Sequence, residues 1–265
     1  MNQCEKKMVA ILKKLKSEYG ALSIKAEFEA EGTRTDELLR LIDVARTADL
    51  KVGLKIGGCE AIRDLMESKQ IGVEYIIAPM VETPYALSKF IEAKNKVYSK
   101  TDQEDTDFLF NVETITSYNN FLEMAKIASA KNSLDGVVFG RVDFSGSLGL
   151  GRDDINTQAI TDYCIDVAKT CADTGLDYVV GGAVSADTLP SMLQIQSTYL
   201  TRFETRKVIF DANSLNLPNI DDALLQAVNF EMLWLLNKRE YYQLITNEDN
   251  KRIKILQSRW KLLSP

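Results

Sequence analysis

The sequence predicts a barrel of alternating β-strands and α-helices, a (β/α)8 TIM barrel, followed by a long helical tail. Three observations carry that expectation. Runs rich in Val, Ile and Phe alternate with amphipathic segments of helical period, the pattern of repeated βα units. A chain of 265 residues suits one barrel domain. Two strand-like runs, Asp107–Glu113 and Gly136–Asp143, end in an acid where a turn former is expected. Strand ends of such barrels converge on one mouth, which carries their chemistry.

A helical lead over residues 9–19 precedes a strand at residues 23–31, and a helix at 36–48 shows an apolar stripe of Leu38, Leu39, Leu41 and Ile42. A strand at 51–56 leads to a helix at 60–69, and a strand at 75–82 to a helix around 86–93. The polar, charged segment 95–107 reads as a surface loop. The two acid-ended strands follow, separated by a helix over 118–130. The glycine-rich stretch 145–151 then enters a helix at 157–172, followed by a strand at 177–182, a helix at 186–195 and a strand at 206–211. That makes seven strands, one short of a closed barrel: either the first helical segment hides a strand or the barrel is incomplete. The barrel is expected over residues 1–220 and a helical extension over 221–265. The extension carries Leu224, Val228, Met232, Trp234, Leu235, Tyr241, Ile253, Leu256 and Trp260, more apolar surface than a capping helix needs. It packs either on its own barrel or on a neighbouring subunit, so a homo-oligomer is expected.

Composition narrows the chemistry. A net charge of −6 argues against a nucleic-acid partner, which demands a basic face. No apolar run reaches the roughly 20 residues needed to span a bilayer, and the first ten residues lack the apolar stretch of a signal peptide. A cytoplasmic protein without membrane partners is expected. The four cysteines (Cys4, Cys59, Cys164, Cys171) form no CxxC pair and read as reduced thiols. Histidine is absent, which excludes serine–histidine and cysteine–histidine triads.

Glu113 and Asp143, meeting at the mouth, suit a hard divalent cation, because Mg²⁺ is held by one or two acids with water and substrate oxygens in the remaining positions. The alternative is a pair of helix caps or strand-end ion pairs. Lys55 ends a strand in front of Gly57-Gly58, a turn suited to an anion, and is placed either to neutralise a developing oxyanion or to sit at the rim. Glu27, Glu29 and Glu31 share a strand face in this reading, with Glu29 the candidate general base. Arg34 and Arg206 are further anion-binding candidates. Gly181-Gly182 gives a ligand close backbone access or relieves crowding.

The strings Lys55-Ile-Gly-Gly-Cys-Glu-Ala, Ala78-Pro-Met-Val-Glu-Thr-Pro84, Asn111-Val-Glu-Thr114 and Gly140-Arg-Val-Asp-Phe-Ser-Gly-Ser-Leu-Gly149 resemble, in that order, the HpcH/HpaI aldolase and citrate lyase family. The resemblance implies a barrel of the pyruvate/phosphoenolpyruvate type, Mg²⁺ or Mn²⁺, and carbon–carbon cleavage releasing pyruvate or a related enolate. It places the metal ligands on Glu113 and Asp143. It places substrate contacts on Asn111, Gly140 and Arg141, with Arg141 set on the strand face of Asp143 to meet an acidic group. Lys55 falls where the family commonly has an enolate-stabilising Arg. The family's histidine base is missing.

The expected function is thus a metal-dependent class II-type aldolase acting on a 2-oxo acid. The alternatives are an acyl-CoA lyase of the citrate lyase type, and a catalytically weakened barrel that binds an acidic or phosphorylated metabolite.

Overall fold

In the computed structural model, which describes residues 1–263, strand β1 (Ala21–Glu27) pairs in parallel with β2 (Lys51–Lys55), and the sheet continues around a closed barrel. Strands β3 (Tyr75–Ala78), β4 (Asp107–Val112), β5 (Gly136–Gly140), β6 (Asp177–Gly181) and β7 (Arg202–Glu204) follow, each parallel to the last. The closing strand β8 (Val208–Asp211) runs antiparallel to both β7 and β1. The barrel is therefore of TIM type with eight strands, one of them reversed.

The helices are α1 (Gln3–Tyr19), α2 (Thr35–Thr47), α3 (Ile62–Ile71), α4 (Pro84–Val97), α5 (Ile115–Asn119), α6 (Phe121–Ala128), α7 (Arg141–Ser147), α8 (Gln158–Thr174), α9 (Leu189–Thr198) and α10 (Ile220–Leu263). Their ends follow local chemistry. Asn2 caps α1 by accepting from the Glu5 amide at 2.9 Å while the Glu5 carboxylate accepts from the Asn2 amide at 2.8 Å. Gly20, at φ 67°, ends the helix in the left-handed conformation that costs other residues energy.

The strand missing from the sequence reading is β7, three residues long and too short to show a pattern. No strand hides in the first helix. The reversal of β8 reduces the β7–β8 connection to residues 205–207, a tight turn at the mouth in place of a crossover helix. Several strands also end earlier than read. β1 stops at Glu27, so Glu27, Glu29 and Glu31 share no strand face, and β5 stops at Gly140, so Arg141 and Asp143 belong to the first turn of α7.

Tyr75, Ile77, Leu109, Val138 and Val179 pack inside the barrel, while the larger core lies between strands and helices. The barrel floor is closed by Arg202. Its guanidinium lies 2.7 Å from Asp177 and 3.5 Å from Asp107, and 4.6 Å from the centre of the Tyr75 ring. Helix α10 packs on α1 through its first turns, burying Ile220, Ala223, Leu224, Ala227, Phe230 and Trp234. Tyr242 donates to Glu37 at 2.5 Å, and from Gln243 to Leu263 every residue is exposed. The expected extension also included Ser264 and Pro265, which lie outside the described residues. Among the described residues no helix is long and apolar enough to cross a membrane.

Candidate active site

The mouth is organised around Glu113, the first residue past β4 and only 1% exposed. Its Oε1 accepts from the Met80 amide at 2.8 Å, and its Oε2 accepts from Asn111 Nδ2 at 2.6 Å and from Lys55 Nζ at 3.3 Å. Met80 lies at φ 50°, a left-handed conformation that costs a non-glycine residue roughly 1–3 kcal/mol and is held only by its surroundings. That conformation presents the amide to Glu113. Gly140 lies beside the same carboxylate.

Lys55, at the end of β2, stands between two acids: Glu113 at 3.3 Å and Glu29 at 3.0 Å. Burial alone would lower its pKa. The charge of Glu113, then the hydrogen bond and charge of Glu29, outweigh that and hold the ammonium above its ordinary value. Asp143 stands nearby at the rim, with neither a hydrogen bond nor an ion pair among the described residues. Partial burial of its carboxyl, and next the negative charge of Glu113, push its pKa up. Asn111 Oδ1 is likewise buried without a hydrogen-bond partner among the described residues.

The structure thus gathers Lys55, Glu29, Asn111, Glu113, Gly140 and Asp143 at one mouth. Arg141 stands apart from the others. It is 1% exposed and turned into the wall, where Nη2 donates to the Gly182 carbonyl at 2.6 Å, Nε to Gly181 at 3.2 Å and Nη1 to Asn156 at 3.3 Å. The acidic partner expected of it is replaced by carbonyl oxygens. The Gly57 amide donates to Asp64 at 2.7 Å, so the turn after Lys55 satisfies its own donor. Arg34 stacks over Tyr242 at 5.1 Å, and Arg206 spans Glu31 at 3.2 Å, Glu27 at 3.7 Å and Glu231 at 3.8 Å.

A second ionic layer escaped the sequence reading. Lys25 pairs with Glu204 and, at 3.6 Å, with Glu27, while Lys207 pairs with Glu31. The period-two alternation Ser23-Ile-Lys-Ala-Glu27 was the available signal for Lys25, because it puts Ile24 and Ala26 outside and Lys25 inside. Counting both layers, seven carboxylates (Glu27, Glu29, Glu31, Glu113, Asp143, Glu204, Glu231) face four cations (Lys25, Lys55, Arg206, Lys207).

That acid excess repels an anionic substrate and attracts a cation. Among the described residues no cluster of three or more Cys, Asp or Glu side chains is placed to hold a metal ion. The residues therefore offer no complete cage. Glu113, the unpaired Asp143 and the unpartnered oxygen of Asn111 do fit an ion bound by two acids, with water or substrate completing its shell.

An eight-stranded barrel with acids and a buried ammonium at the carboxyl ends of its strands is a TIM-type barrel that gathers charged groups where such folds carry their chemistry. The sequence model of the HpcH/HpaI aldolase/citrate lyase family matches residues 29–193, and the chain belongs to that family of aldolases and lyases. Among curated proteins no relative matches. Solved structures share the fold. An HpcH/HpaI aldolase/citrate lyase family protein from Burkholderia cenocepacia has a TM-score of 0.61 at 15% identity, covering 85% of this chain and 90% of its own. Citrate synthase SbnG gives 0.59 at 16%, covering 84% and 89%. An HpcH/HpaI aldolase from Desulfitobacterium hafniense gives 0.55 at 14%, covering 77% and 91%.

Proposed function

We propose that this chain is a divalent-metal-dependent carbon–carbon lyase of the class II aldolase type, cleaving or forming a 2-oxo acid through a pyruvate-like enolate. The observation that supports it most is the Lys55 ammonium held between Glu29 and Glu113, with the Asp143 carboxylate left unpaired beside them. Glu113 and Asp143 are the residues that would hold Mg²⁺ or Mn²⁺, which supplies Lewis-acid polarisation of a bound carbonyl.

The remaining roles fall to the chain itself. Lys55 stays charged in a buried setting, where a fixed cation is worth most against an oxyanion that forms only as the bond breaks. Glu29, the more accessible partner of Lys55, is the carboxylate placed to take the C4 hydroxyl proton in a chain without histidine. Asn111 offers its unpartnered Oδ1 to a substrate hydroxyl or water, and Gly140 leaves the room that Glu113 occupies. The exposed end of α10 is proposed to dock on a second copy of the chain, making a homo-oligomer.

The test follows pyruvate methyl-proton exchange in D₂O by NMR, which reports enolate formation without the unknown acceptor. Exchange is expected to depend on added Mn²⁺ and to be lost in Glu113→Gln and Asp143→Asn, which should also lose Mn²⁺ binding by isothermal titration. A parent protein without metal-dependent exchange, or variants that bind Mn²⁺ like the parent, would overturn the reading.

A further inference from the structure

Helix α10 borders a groove and then leaves it. The groove, about 580 Å³ in volume, lies where the first turns of α1 and α2 meet α10, and Trp234, Tyr241 and Leu244 contribute its apolar wall. Its charges are of two kinds. Arg40 pairs with Glu5, and Lys238 lies 3.8 Å from Glu37, so those four charges cancel in pairs. Asp36 and Glu240 also line the groove, are exposed, and make no hydrogen bond or ion pair among the described residues. The groove therefore sets two uncompensated negative charges around apolar side chains.

The exposed end of the same helix has the opposite character. From Lys251 to Lys261 it carries five bases (Lys251, Arg252, Lys254, Arg259 and Lys261) and no acid, in a chain whose net charge is −6. Ile253, Leu256 and Leu263 share one face of this stretch at helical spacing, and Arg252 and Arg259 run along the edge of that face. An apolar helix face flanked by bases is complementary to an apolar groove flanked by acids. A chain cannot place this stretch in its own groove. Because α10 is one continuous helix, rising about 1.5 Å per residue, Lys251 begins roughly 10 Å beyond Leu244 and Leu263 lies roughly 28 Å beyond it.

We infer that the groove between α1, α2 and α10 receives the basic end of α10 from a second copy of the chain, with Asp36 and Glu240 facing its lysines and arginines. Groove and basic end are successive stretches of one helix, so two copies related by a two-fold axis fill both grooves at once, and the contact closes as a dimer. The inference rests on the self-association of α10 proposed above and names the surface that receives it.

Charge exchange in the full chain tests it, read as the dimer dissociation constant by sedimentation. Lys251→Glu, Arg252→Glu and Lys254→Glu together should weaken the dimer roughly tenfold or more, and so should Asp36→Lys with Glu240→Lys. All five side chains are exposed, so the fold should survive, which circular dichroism checks. The chain carrying all five substitutions places opposite charges face to face again and should recover most of the parent affinity. Variants that associate as tightly as the parent, or a weakening that the five-fold variant does not recover, overturn the groove and leave self-association standing. A parent chain that stays monomeric overturns both and leaves the groove to another occupant.

Discussion

Gly140 and Glu113 are matched in shape: a Cβ built on Gly140 would lie 2.9 Å from both Cβ and Oε2 of Glu113. No side chain tolerates that approach, so the gap in the β5 wall is the seat of the carboxylate. The same device recurs one strand on, where a Cβ on Gly181 would lie 2.8 Å from Cγ and Oε1 of Glu204. Gly140 and Gly181 are register partners, so the two acids approach a glycine pair from opposite sides.

Gly140→Ala should therefore displace Glu113 from Met80, Asn111 and Lys55. Misplacement by about 1 Å at a reacting centre costs on the order of 100-fold in rate, and overpacking costs roughly 1–3 kcal/mol in stability. Gly146→Ala on α7 is the control, because nothing lies within 4 Å of a Cβ there. Equal activity in the two variants would mean that the seat has no bearing on the site.

Lys55→Met should lower kcat by roughly two to three orders of magnitude, the cost of losing one oxyanion donor, with little change in KM. An interaction stronger in the transition state than in the ground state shows itself in that split. Lys55→Arg should recover part of the rate, since it keeps the charge between Glu29 and Glu113. The pyruvate exchange assay reads both variants, with circular dichroism to check that Glu113 tolerates the loss of its cation. Exchange as fast in Lys55→Met as in the parent would remove Lys55 from the chemistry.

Much of this mouth was legible because side chains at strand ends must converge in a barrel. Lys55 and Glu113 follow from that geometry, whereas Asn111 came from the family resemblance. Asp143 reaches the mouth from a helical turn, so its place was right although its strand was not. Arg141 failed for the same reason: once β5 ends at Gly140, the next residue turns into the wall, and the carbonyls of Gly181 and Gly182 take its guanidinium. Glu204 and Met80 carry no sequence signal. One lies on a three-residue strand paired with a reversed neighbour, and the other acts through its backbone.

Glu31 links pH to stability through the turn that the reversed β8 creates. Burial would raise its pKa, but the charges and hydrogen bonds of Lys207 and then Arg206 outweigh it and hold the carboxyl below its ordinary 4.5. A depressed acid contributes stability that is complete above the unfolded-state value and lost as pH falls through the folded one. The stability gap between the parent and Glu31→Gln should therefore be full at neutral pH and narrow below about pH 4.5. Urea titrations at a series of pH values measure it. A gap that does not change with pH would show that Glu31 acts through packing alone.

The end of α10 provides the last prediction. From Gln243 to Leu263 every residue is exposed, and that surface includes Leu244, Ile245, Ile253, Ile255, Leu256 and Leu262. Exposed apolar side chains in this number call for a packing partner. A second copy of the chain is the partner proposed. Cutting at Asn219 would strip Phe230 and Trp234 from their seat on α1 and unfold the protein, whereas a chain ending at Gln243 keeps every buried residue of α10. Sedimentation should show the full chain as an oligomer and the shortened chain as a folded species of lower mass. A full chain that sediments as a monomer, with α10 still helical, would rule out self-association through this segment.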